Sequence, residues 1–92
     1  MTEERTVTVV PEDGLHARPA ALFVEEANEH DAEVEVGPAD GDLVSAGSMI
    51  AVTGLGVRGG DEVRIVADGV DATAALDALE AILTTPEDEL EG

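Results

Sequence analysis

Ala32-Glu33-Val34-Glu35-Val36 alternates apolar residues with glutamates. A period of two sets Ala32, Val34 and Val36 on one side of a strand and both carboxylates on the other. Such a strand has one face to bury and one to wet, as in an antiparallel sheet covered on a single side. Thr6-Val7-Thr8-Val9-Val10 and Glu62-Val63-Arg64-Ile65-Val66-Ala67 read the same way, and Leu43-Val44-Ser45 is a candidate short strand. Between them the period becomes helical. Ala20, Phe23, Val24 and Ala27 form one stripe, and Ala72, Ala75, Leu76, Leu79, Ile82 and Leu83 form another. Asp71 is placed to cap the second of these helices, and Ser48 to cap a short helix over Met49-Ile50-Ala51-Val52. Pro11, the turn from Gly37 to Asp42 and the glycines at 54, 56, 59 and 60 separate the elements. The order β-α-β-β-α-β-α predicts an α+β fold of two layers, a sheet with its helices on one face. One domain is expected over 1-86, its last helix ended by Thr84-Thr85-Pro86, with an acidic C-terminal tail over 87-92.

The chain has 92 residues with 22 Asp and Glu against 4 Lys and Arg, a net charge of −18. All four cations are arginines: Arg5, Arg18, Arg58 and Arg64. This surface repels nucleic acid and anionic membranes, which need clustered positive charge. There is no cysteine, so disulfides and thiolate metal sites are excluded. Phe23 is the only aromatic residue, which leaves no base-stacking platform. No apolar run approaches the ~20 residues of a spanning helix, and residues 1–6 are too acidic for a signal peptide. A cytoplasmic protein is expected. Acidity with 43% hydrophobic residues in regular patterns argues against disorder. It points to a cytoplasm of molar salt, where a Debye length of ~3 Å screens carboxylate repulsion.

The stretch that carries chemistry is Gly14-Leu15-His16-Ala17-Arg18-Pro19-Ala20. A glycine loop delivers His16 to the first turn of a helix, whose leading N–H groups lack partners inside the helix. With the helix dipole they form an anion site suited to phosphate. Arg18 can bring a charged fork to the same anion. The positive end of the dipole favours a neutral imidazole, which is a competent nucleophile. The pattern predicts a histidine that accepts a phosphoryl group and passes it on.

These seven residues resemble the active-site signature of the HPr family, the histidine-containing phosphocarriers of the phosphoenolpyruvate-dependent sugar phosphotransferase system. The segment Ser45-Ala46-Gly47-Ser48-Met49-Ile50-Ala51-Val52-Thr53-Gly54-Leu55-Gly56 is similar to the family's second characteristic stretch. The resemblance covers nearly the whole chain. It implies an open-faced β-sandwich with a four-stranded antiparallel sheet of order 1-4-2-3. It implies a relay protein, not an enzyme, that needs no cofactor. By that resemblance, phosphoryl would pass from phosphoenolpyruvate through enzyme I to His16, then to a sugar-specific IIA component. Nδ1 of His16 would carry it, Arg18 would stabilise it, the backbone N–H groups of Ala17 and Arg18 would cradle its oxygens, and Pro19 would fix the helix start. Ala21, Leu22, Met49 and Ile50 are the expected partner-docking residues, and a monomer is expected.

Ser48 stands where the family has its regulatory phosphorylation site. A plain helix cap is favoured over that role, because Gly47 replaces a lysine frequent in the family. Glu25 and Ala51 also stand where lysines are common, so docking leans on apolar contact. Asp13 replaces a neutral residue, and a carboxylate there repels a phosphoryl dianion unless it points away. His30, among Asn28, Glu29 and Asp31, reads as a solvated helix-end histidine, and no metal site is expected. Two other roles compete with sugar uptake. One is a regulatory module that signals phosphorylation state; the other is a carrier for a phosphoenolpyruvate-dependent dihydroxyacetone kinase.

Overall fold

The computed structural model describes residues 2–90. Its elements are β1 (Thr2–Thr8), α1 (Ala17–Glu29), β2 (Ala32–Pro38), β3 (Val44–Ser45), α2 (Met49–Thr53), β4 (Glu62–Gly69), α3 (Ala72–Leu83) and α4 (Glu87–Leu90). The strands form one antiparallel sheet in the order β1-β4-β2-β3. The predicted α+β architecture and strand order are those observed.

Alternation decides which face is covered. Val34 and Val36 on β2, and Val63, Ile65 and Ala67 on β4, are buried, while Glu33 and Glu35 are exposed. The helices close that face with Ala20 and Phe23 from α1 and Leu76, Leu79 and Leu83 from α3. Phe23 has no exposed surface. Burying a side chain of that size stabilises the fold by roughly 1.5–3 kcal/mol. Among the described residues no polar or charged residue is fully buried.

The first strand begins earlier than the apolar alternation suggests. The expected span was 6–10, yet β1 pairs with β4 from Thr2 opposite Asp68 to Thr8 opposite Glu62. Glu3 and Arg5 continue the inward-facing positions of Val7, but they meet polar groups of α3 rather than the core. The Thr73 hydroxyl donates to Glu3, and Arg5 pairs with Asp77 and, at 2.9 Å, with Glu80. Hydrogen bonds to Asp77 first, and then to Glu80, hold the Arg5 guanidinium above its ordinary pKa. Charged residues with partners across the layer thus extend the strand. Val9 lies beyond β1, yet its N–H still donates in register to Asp61 O at 2.8 Å.

Asp71 stands at the cap position of α3, but its side chain makes no cap hydrogen bond. Instead its Oδ2 accepts from the Asp31 N–H at 3.2 Å, joining the start of β2 to the start of α3. The acidic segment after Pro86 makes a helical turn, α4, beside α1. Residues 91 and 92 of the expected tail lie outside the described residues.

Candidate functional site

His16 is the N-cap residue of α1, in extended backbone with φ −142° and ψ 148°. It is exposed, and its side chain makes no cap hydrogen bond. Its own N–H donates to Gly14 O at 3.0 Å. The imidazole is therefore presented at the helix entrance without being used to build it. Ala17 follows with φ 53°, the one non-glycine residue at positive φ among those described. For a residue with a Cβ that conformation costs roughly 1–2 kcal/mol. The strain sits at the turn that aims His16 outward. Arg18 is exposed one residue further on, and Pro19 is buried within the first turn, where it has no N–H to leave unpaired.

The loop before His16 is sewn to the loop after α2. Gly14 lies at φ 67°, and a Cβ built there would stand 1.9 Å from Val57 O and 2.6 Å from Arg58 Cα. Only glycine permits this approach. Gly59 N–H donates to Glu12 O at 3.1 Å, and Gly60 N–H to Val9 O at 2.7 Å. A groove of about 410 Å³ opens between the two loops, and its walls include Glu12, Asp13, His16, Thr53 and Arg58. Asp13 therefore lines the same groove as His16. Arg58 was not singled out by the sequence, which shows it only as one of four cations inside a glycine-rich stretch.

The apolar residues expected to dock partners lie on the neighbouring helices α1 and α2. Ile50 is 86% exposed and Met49 40%. Ala21 is exposed, whereas Leu22 is half-buried. Ser48 uses its side chain to cap α2, accepting from Ala51 N–H at 3.2 Å. Gly47 sits against α1: a Cβ there would meet Asn28 Oδ1 at 2.6 Å, and Asn28 Nδ2 donates to Gly47 O.

His30 is not the solvated histidine expected at the helix end. Its side chain is 17% exposed, and Nε2 lies 2.9 Å from Glu26 Oε2. Nδ1 lies 3.9 Å from Asp71 Oδ2. These groups tie α1 to α3. Among the described residues no cluster of His, Cys, Asp and Glu is placed to hold a metal ion. No helix there is long and apolar enough to cross a membrane.

Comparison with known proteins adds four findings. Residues 3–85 match the family model described as PTS HPr component phosphorylation site. The chain is 71% identical over 85 residues to the phosphocarrier protein HPr of Haloferax volcanii, covering 91% of this chain and 96% of that protein. It is 44% identical to the phosphocarrier protein HPr of Streptomyces coelicolor, covering 95% and 94%. The fold superposes on the crystal structure of a phosphocarrier protein HPr from Bacillus anthracis with a TM-score of 0.84 at 39% identity, over 89% of this chain and 96% of that one. The first relative accords with the molar-salt environment expected from a net charge of −18.

Proposed function

The chain belongs to the HPr family of phosphocarriers of the phosphotransferase system, relays rather than enzymes, and from this premise we propose that His16 is its phosphoryl acceptor. The observation that carries the proposal is the free imidazole at the entrance of α1, exposed and without a cap hydrogen bond. Its Nδ1 lone pair forms the bond to phosphorus as the phosphorus–nitrogen bond to the donor histidine breaks. The electron pair of the broken bond stays on the donor imidazole. Transfer to the next protein reverses these roles.

Little covalent work falls to the rest of the chain, so catalysis is positioning and charge neutralisation. Arg18 supplies a guanidinium that can take two phosphoryl oxygens at once. The unpartnered N–H groups of Ala17 and Arg18 supply further donors, aided by the positive end of the helix dipole. Pro19 fixes the helix start. The donor is enzyme I and the acceptor a IIA component, both in the cytoplasm, and the carrier meets each as a monomer. They dock over Ala21, Leu22, Met49 and Ile50, an apolar patch whose contacts strengthen in salting-out conditions. Ser48 is a helix cap in this reading, because its hydroxyl already serves Ala51.

The test is phosphoryl acceptance in molar KCl from phosphoenolpyruvate and a matched enzyme I. Phosphorus NMR is expected to show an acid-labile phosphohistidine that is absent in His16→Ala. A phosphohistidine signal persisting in that variant would falsify the assignment.

A further inference from the structure

The fold uses its four arginines in two ways. Arg5 pairs with Asp77 and Glu80, and Arg64 Nη1 lies 3.8 Å from Glu4 Oε2. Arg18 and Arg58 are exposed and form no ion pair among the described residues, despite a net charge of −18. Arg18 flanks His16 in sequence, while Arg58 reaches the same place through the fold. Arg58 is in the wall of the groove that opens on His16, and Arg18 is not. Main-chain contacts hold Arg58 there. Its Cα packs against Gly14, where a Cβ would stand 2.6 Å away. Its own N–H donates to Asp61 Oδ2 at 3.0 Å, and the next residue, Gly59, donates to Glu12 O at 3.1 Å. None of these contacts uses the guanidinium.

The groove also needs a cation. Glu12 and Asp13 share its walls with His16. A phosphoryl group on the imidazole brings a further charge of about −1.5 to −2 into this cleft. Charge-assisted contact with a guanidinium offsets that repulsion, and a planar fork suits phosphoryl oxygens. We propose that Arg58 contacts the phosphoryl group carried by His16, as a second guanidinium that offsets Glu12 and Asp13. The assignment rests on His16 being the acceptor.

A cation against the phosphoryl dianion favours the fully ionised form. Removing it raises the pH at which the phosphoryl dianion takes up its first proton. The experiment is a phosphorus NMR pH titration of the phosphorylated protein in molar KCl, comparing wild type with Arg58→Ala, Arg58→Gln and Arg58→Lys. Transfer from enzyme I is followed in parallel. The Ala and Gln variants are expected to shift the titration upward by about half a unit or more. They are also expected to slow transfer by about tenfold. Arg58→Lys keeps most of both, since it keeps the charge. A phosphoryl titration in Arg58→Ala that matches wild type overturns the proposal. That holds even if transfer slows, because the slowing then belongs to partner docking. If the wild-type protein takes up no phosphoryl group on His16, the acceptor assignment falls and this one with it. The two failures are thus distinguished.

Discussion

The two histidines stand at opposite ends of one helix, and their surroundings differ in almost every respect. His30, at the C-terminal end of α1, is largely covered and lies against Glu26 and Asp71. His16, at the N-terminal end, is exposed and has no side-chain partner in the cap it occupies. Backbone strain gathers beside His16 at Ala17, and Arg18 and Arg58, which have no carboxylate partner among the described residues, gather there too. A residue committed to packing has its hydrogen bonds made within the fold. One kept for chemistry has them left open, and the fold bears the cost nearby.

The sharpest test of this contrast exchanges the two. His16→Ala is expected to abolish phosphoryl acceptance and to change stability by less than about 0.5 kcal/mol, as for an exposed side chain without partners. His30→Ala is expected to keep phosphoryl acceptance and lose about 1 kcal/mol, by chemical denaturation at molar salt, because a part-buried hydrogen bond is removed. If His30→Ala blocked phosphorylation as well, the division of labour would collapse.

Gly14→Ala attacks the seam between the two loops. A Cβ 1.9 Å from Val57 O cannot be accommodated without moving the main chain. The expected cost is about 1–3 kcal/mol from overpacking, with the positive φ adding to it. A denaturation midpoint equal to wild type would mean the seam is loose. Arg18→Ala comes next, with an expected slowing of transfer by about tenfold, or ~1.4 kcal/mol on the barrier. An unchanged rate in stopped-flow transfer from enzyme I would remove Arg18 from the mechanism. The smallest effect is expected at Ala17→Gly. Glycine accepts φ 53° without the Cβ penalty but loses more entropy on folding. The two terms leave a stabilisation of up to about 1 kcal/mol. The same change at buried Ala20 has no strain to relieve and is expected to destabilise. Equal losses at both positions would show that Ala17 stores no strain.

Much of this was readable in the sequence, and the reasons for the rest are physical. Strict alternation around Val34 and Ile65 gave the sheet its covered and wet faces, because a period of two admits no other reading. The stripe through Ala20, Phe23 and Ala27 placed α1, and the glycine before His16 placed the histidine at its entrance. The opening of β1 shows no apolar alternation, because Glu3 and Arg5 sit at inward positions and find their partners on α3, some seventy residues away in the chain. Asp71 looked like a cap because its local sequence favours one, yet a main-chain donor at Asp31 claims its carboxylate. His30 looked solvated because its sequence neighbours are polar, while the groups that cover it come from one turn back on α1 and from the start of α3. Arg58 is the instructive case at the site. Nothing in the order of residues links it to His16; the link is the packing of one glycine against the main chain of another loop.

The burial of Phe23 has a practical consequence. With no Trp or Tyr, its ring is the chain's single aromatic chromophore, and it lies wholly inside the core between the sheet and α1. The ring sits on the same helix that presents His16, two turns along. Its near-ultraviolet dichroism and its proton resonances, free of overlap from any other aromatic residue except the two imidazoles, report on the core as it forms or melts. One unlabelled side chain therefore serves as a built-in gauge of tertiary order at any salt concentration.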